Sequence, residues 1–240
     1  MSSIAAIISK HQEIFFPIVP FNHSTDKLLK MDFTANNLSL TKDIIENTDK
    51  FCSYINQQLA DANALYGIGG YNEHRTIYAR SDVFGTSTQP ISKGQGQEEP
   101  RRLHLGIDIW GNAGTEIYAP FGGTVHSVAF NDHYGDYGAT IILQHQLDGC
   151  TFHTLYGHLS LIDIEHLQAG KFISQGELIA HFGKPKENGH WPPHLHFQII
   201  VDMEMKQGDY PGVCKLSERE KYLANCPNPD LILGMMKFAP

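Results

Sequence analysis

The sequence predicts a mainly β protein: an antiparallel β barrel-like sandwich preceded by an N-terminal helical segment and followed by a short C-terminal helix. Two observations carry this. From Leu103 onward, short β-rich runs alternate with glycine turns (HLGIDIW, TEIYAP, GTVHSVAF, ATIILQH, TFHTLYGH, FISQGELIAHFG, HLHFQIIV), with no helical period between them. Between Leu40 and Ala64, Ile44, Ile45, Phe51, Cys52, Ile55 and Leu59 recur at three-to-four spacing with Asp43 near the start, which predicts one helix with a buried stripe, ended by Gly67, Gly69 and Gly70.

The other segments follow in order. Residues 1–80 form an N-terminal mixed and helical extension, and residues 81–102 read as an exposed loop, with Arg101 and Arg102 solvated and the loop long enough to act as a lid. Residues 103–202 form the β domain. Residues 203–240 form a C-terminal extension, whose helix is expected to open at a capping box, Ser217-x-x-Glu220, with CPNPD after it as a loop.

Composition narrows the function classes. With 240 residues the chain buries a core without staples. A formal charge of −8 and the lack of a basic stripe argue against nucleic acid or an anionic membrane surface as partner. No apolar run is long enough to span a bilayer, and the N-terminus lacks a basic leader and a small-residue cleavage site, so a cytoplasmic location is expected. Cys52, Cys150, Cys214 and Cys226 make no Cys-x-x-Cys knuckle and read as small buried hydrophobes; pairing of Cys214 with Cys226 stays open. Fourteen histidines in an acidic chain direct attention to metal ligands.

The densest of these signals is WPPHLHFQII, Trp191 to Ile200. Pro192 and Pro193 suit a strand entry, and alternation then projects His194, His196 and Gln198 to one side and Leu195, Phe197 and Ile199 to the other. Upstream, HLGID reads as a strand whose polar face carries His104 and Asp108, with Gly106 between them leaving room for an ion. One histidine of the HLH pair, His104 and Asp108 make three ligands, the number a catalytic zinc site uses while keeping a fourth position open. Imidazole in the set favours zinc over magnesium or calcium. The second histidine of the pair and His158, which shares parity with Tyr156 in the TFHTLYGH strand, are candidates for proton transfer. His126, His133, His145 and His153 read as structural or exposed, and His190, just before the site, as a loop residue that contacts substrate or solvent.

The ordered set His104-x-x-x-Asp108, GTEIYAPFGGTV, Tyr156-Gly157-His158-Leu159, QGELIAHFG and Pro193-His194-Leu195-His196-Phe197 resembles the successive motifs of the lysostaphin-type zinc metallopeptidases, peptidase family M23, over about Leu103 to Ile200. The resemblance implies one Zn²⁺ per chain held by His104, Asp108 and His196, with His158 and His194 as the catalytic pair. It implies a zinc-dependent metalloendopeptidase acting on a peptide, of the glycine-containing or peptidoglycan-derived type on which the family acts. Two departures stand out. The family approaches its His-x-His through Thr-Gly-Pro, whereas this chain has ENGHWPP, and this form together with DYPGV and CPNPDLIL also resembles the peptidase-like domain fused to aminotransferase domains.

Two competing readings remain. In the first, the same fold serves as a non-catalytic peptide-binding or regulatory module, its cleft plugged by the N-terminal segment with Asn36, Asn37 or His23 as the capping side chain. In the second, GELIAHFG belongs to a lipoyl-type or phosphocarrier-type barrel, which leaves the five clustered residues unexplained.

Overall fold

A computed structural model describes residues 3–85 and 99–239. The strands are, in chain order, β1 (Leu28–Lys30), β2 (Tyr66–Gly69), β3 (Leu103–His104), β4 (Ile107–Trp110), β5 (Glu116–Tyr118) and β6 (Gly123–Asn131). They continue with β7 (Gly138–Leu147), β8 (Cys150–Leu159), β9 (Phe172–Ile173), β10 (Leu178–His181), β11 (His194–Ile200) and β12 (Val213–Cys214). Eight of them form one sheet in the order β1-β2-β4-β11-β8-β7-β6-β9. The pairs β5–β10 and β3–β12 stand apart as two-stranded ribbons.

This architecture is mainly β, as expected, but the large sheet is mixed and open. β1 and β2 run parallel while the remaining neighbours are antiparallel, and the edge strands β1 and β9 do not pair with each other. The extra strands come from the N-terminal extension, whose short Tyr66–Gly69 run is too rich in glycine to advertise itself as a strand. Gly67 and Gly69 therefore lie in a strand, one place in from the sheet edge, and do not terminate a helix.

The periodic stretch after Leu40 is two helices. With α1 at Ile4–Lys10, these are α2 (Lys42–Glu46) and α3 (Thr48–Ala62), separated by Asn47 in an extended conformation. The Asn47 side chain accepts a 3.0 Å bond from Lys50 N, so a good N-cap residue restarts the helix where periodicity alone runs straight through. Helix α3 ends at Asn63 in the left-handed conformation. Its buried stripe, Phe51 and Ile55, packs with Phe33, Trp110 and Trp191.

At the centre of the sheet, β11 is buried along its whole length. Leu195, Phe197 and Ile199 join the main core, as their alternation requires, while His194, His196 and Gln198 face the other way. On the latter face Gln198 donates to the Pro211 carbonyl and to Cys226 Sγ, and Gly212 lies against His196, so the C-terminal extension covers part of it.

Five further expectations meet the structure here. Of the predicted loop 81–102, residues 86–98 lie outside the described residues; its described flanks include a 3₁₀ turn at Asp82–Phe84. Arg102 is buried, donating to the carbonyls of Phe84, Arg101 and Gly85, and Arg101 bonds the Val83 carbonyl, so neither is simply solvated. Ser217 does not cap the helix Arg219–Asn225, which a second short helix, Asp230–Leu233, follows: the Ser217 backbone N–H and hydroxyl both donate to the Glu99 carboxylate, which takes the groups a capping box would use. All four cysteines are free, with Cys214 and Cys226 buried in a small cluster that also holds Tyr210 and Ile200. No helix among the described residues is long and apolar enough to cross a membrane.

Candidate metal and proton-transfer site

Register builds the site. In the β4–β11 ladder His196 lies opposite Asp108 and His194 opposite Trp110. The first pairing puts His196 Nδ1 3.2 Å from Asp108 Oδ1, and the second stacks the His194 ring on Trp110 at 3.9 Å with 11° between planes. His104 arrives from a separate strand. HLGID is two strands, β3 and β4, broken at Leu105–Gly106, and β3 is held by β12. Gly106 does leave room, though for a side chain: a Cβ there would lie 2.5 Å from His196 Cε1, so the missing methyl admits the imidazole where an ion was expected.

Three donor atoms converge. His104 Nε2 is 2.9 Å from His196 Nδ1 and 3.3 Å from Asp108 Oδ1. Outer hydrogen bonds decide which nitrogens carry protons. His104 Nδ1 is 2.9 Å from the carbonyl of Gly70, which can only accept, so Nδ1 holds the proton and Nε2 a lone pair. His196 Nε2 is 2.9 Å from Gln198 Oε1, which fixes the opposite tautomer and leaves the lone pair on Nδ1. Two lone pairs and a carboxylate oxygen facing one another at about 3 Å repel unless a cation lies among them. Donors on a tetrahedral zinc, at about 2.0–2.1 Å from it, sit about 3.3–3.4 Å apart, so the set fits that ion. Among the described residues His104, Asp108 and His196 are the one group of three such side chains placed to share a metal.

His158 reaches the site by a route that parity does not give. Tyr156 packs on Phe197 in the main core, so a regular strand would send His158 there too. Instead the β7–β8 register slips between Ala139 and Ile141, and His158 takes a left-handed φ of 64°. This bulge turns its ring to the opposite face, 4.1 Å from that of His194 and 30° from parallel to it. Both histidines donate Nδ1–H to backbone carbonyls, His158 to Asn188 at 2.8 Å and His194 to Pro192 at 2.8 Å, which leaves each Nε2 with its lone pair. A cavity of about 260 Å³ is lined by Asp108, His158, His194 and His196, with Tyr78, Trp191 and Tyr137 among its walls.

Burial dominates the electrostatics. It lowers His104 to about 3, helped by Arg75, and His194 to about 4. It also holds His158 well below its usual range, with His194 and His196 adding to the effect. For Asp108 burial alone would raise the carboxyl, but the Arg75 guanidinium bonded to Oδ2 holds it well below the usual carboxylate range. His104, His158 and His194 are thus held as neutral imidazoles beside an ionised carboxylate.

Several residues that complete the site lie outside any motif. Arg75 is fully buried and bonds Asp108 Oδ2; Gly70 contributes its carbonyl; Tyr78 lines the cavity. In the sequence Arg75 sits in NEHRTIYAR, a polar stretch that reads as surface. The other histidines fall where expected. His145 is buried with Nδ1 3.0 Å from the Gly122 carbonyl, and His126 and His153 pack on each other edge to face. His190 is exposed and turns its ring toward Tyr134, away from the cavity lining. Asn37 bonds the Asp32 carbonyl and Tyr54, and His23 stacks on Phe238, so neither caps the site; Asn36 is also absent from the cavity lining.

Burial lowers His145 to about 4 from an ordinary 6.5, which yields a pH prediction outside the metal site. Between those values the unfolded chain binds the proton and the folded chain does not, so stability is lost as pH falls from about 6.5 toward 4. The loss from this residue is on the order of 3 kcal/mol at most. Urea midpoints between pH 7.5 and 4.5 are expected to fall less steeply in His145→Asn than in the wild type. Parallel profiles would rule out this source.

Residues 102–208 match the family model described as peptidase family M23. An uncharacterized metalloprotease of Haemophilus influenzae is 34% identical over 101 residues, 42% of this chain, and the match spans only 19% of that relative's length. Among solved structures, a zinc-containing peptidase from Vibrio cholerae is 26% identical over 42% of this chain and 28% of its own, with a TM-score of 0.33. The catalytic domain of the antimicrobial peptidase lysostaphin from Staphylococcus simulans is 21% identical over 71% of this chain and 97% of its own, with a TM-score of 0.38. The matched segment contains His104, Asp108, His158, His194 and His196 but neither Gly70 nor Arg75, and it is this segment that is similar to peptidase family M23.

Proposed function

We propose that this chain is a zinc-dependent metalloendopeptidase that hydrolyses a peptide bond flanked by small residues, with glycine-containing, cell-wall-type peptides as its substrate class. The observation that carries the reading is the convergence of the lone pairs of His104 Nε2 and His196 Nδ1 on Asp108 Oδ1, beside two further imidazoles whose Nε2 lone pairs are unspent. His104, Asp108 and His196 would hold the ion. A zinc bound there supplies Lewis acidity to a scissile carbonyl and makes a water acidic enough to attack near neutral pH.

The chain's own residues then manage the protons. His158 and His194 are neutral and are fixed at Nδ1 by backbone carbonyls, so their Nε2 atoms are the places where a proton from the attacking water is accepted and then returned to the leaving amine. Tyr78, Trp191 and Tyr137 line the cavity beside these histidines, and a bond flanked by glycine would bring no side chain against their rings.

The test is zinc content and peptide cleavage measured together. About one zinc per wild-type chain, almost none in His196→Ala, and chelator-sensitive cleavage of a glycine-containing peptide are expected. A wild type that takes up no zinc after reconstitution would sink the reading.

A further inference from the structure

Resting on the zinc reading above, we propose that Arg75 is a positioning residue that occupies one oxygen of Asp108, so that the carboxylate presents a single oxygen to the ion and the fourth coordination position stays open. Asp108 is divided between two tasks. Its Oδ1 faces His104 Nε2 at 3.3 Å and His196 Nδ1 at 3.2 Å, while its Oδ2 accepts from Arg75 Nη1. A carboxylate free of that contact can place both oxygens on a zinc ion, and a second oxygen would take the position a water or substrate needs.

Arg75 is held rigidly enough to impose the choice. Its side chain is completely buried, and it donates from Nε to Glu73 Oε2 at 2.7 Å, from Nη2 to the Gly69 carbonyl at 3.1 Å and from Nη1 to Tyr78 Oη at 3.3 Å. The guanidinium lies 5.1 Å from the centre of the Phe33 ring. The chain passes so close that a Cβ on Gly70 would fall 1.6 Å from Nη2, which explains a glycine at this place. The carbonyl of the same Gly70 takes the His104 Nδ1 proton. Residues 69–75, outside the family-matched segment, therefore orient two of the three candidate ligands. A lysine cannot substitute, because an ammonium on a flexible stem does not reach Asp108, Glu73 and the Gly69 carbonyl in one plane. Glu73 offsets the arginine charge, so the Glu73–Arg75–Asp108 group carries the single negative charge that Asp108 would carry alone.

Cobalt(II) substitution reads this directly, since the visible spectrum distinguishes four-coordinate from five-coordinate ions whatever the turnover. The wild type is expected to give the intense four-coordinate spectrum. Arg75→Lys is expected to lose intensity toward the five-coordinate range, and also to lose the spectral response to an added thiol that fills the open position. Glu73→Ala, which keeps the arginine but removes its Nε anchor, is expected to shift the same way by a smaller amount, and it decides the matter if Arg75→Lys does not fold. A wild type that binds cobalt, with folded variants showing its spectrum unchanged, overturns the role of Arg75 alone. A wild type that takes up neither cobalt nor zinc overturns the metal reading and this inference with it.

Discussion

Replacing His158 with asparagine or His194 with alanine is expected to leave zinc content near that of the wild type and to lower peptide turnover by about 10²–10⁴-fold, the usual worth of a positioned proton-transfer group. Neither ring belongs to the three-donor cluster, and each has its Nδ1 proton committed to the main chain. Asparagine is the better probe at 158, where φ is 64°, because it tolerates the left-handed conformation and so separates loss of chemistry from backbone strain. Atomic absorption and initial rates on the same preparations provide the comparison. A near-native rate in either variant would remove that histidine from the mechanism, whatever the metal does.

Asp108→Ala is expected to abolish zinc binding and, independently, to destabilise the metal-free protein by about 3–5 kcal/mol, the cost of stranding one member of a buried ion pair. Arg75 has no exposed surface and, without Asp108, keeps only Glu73 as a charged partner. The same reasoning makes the double variant Asp108→Ala/Arg75→Met more stable than the single one, since the buried charge leaves with its partner and a side chain of similar length fills its place. Urea unfolding in excess chelator measures both. A single variant within about 1 kcal/mol of the wild type would show that the pair is not energetically coupled to the fold.

The two effects differ in how far each was legible beforehand. His194 and His196 were readable because alternation along a strand is a local property: side chains two apart share a face regardless of what packs above them, whereas His104 joins Asp108 from a separate strand that alternation does not predict. His158 was readable only through the motif it belongs to. Parity put it beside Tyr156, and the bulge that moves it to the cavity depends on how β8 pairs with β7. Arg75 was not readable at all, since its significance comes from Asp108, thirty-three positions away in sequence.

The N-terminal segment makes the same point at the level of the fold. Periodicity found the apolar stripe of α3, yet the break at Asn47 depends on a cap hydrogen bond that interrupts an otherwise continuous pattern. β2 is four residues with two glycines, and only its pairing with β1 and β4 makes it a strand. By itself the sequence placed His194 and His196 on one face and supplied the donors of a candidate metal site, because backbone alternation and side-chain donors are properties of the local chain. Tertiary structure alone decided that the sheet is mixed and open, that Gly106 yields its space to His196, and that Gly70 and Arg75 orient the candidate ligands. Register, bulges and buried charge pairs arise only when distant segments compete for the same hydrogen bonds and the same volume.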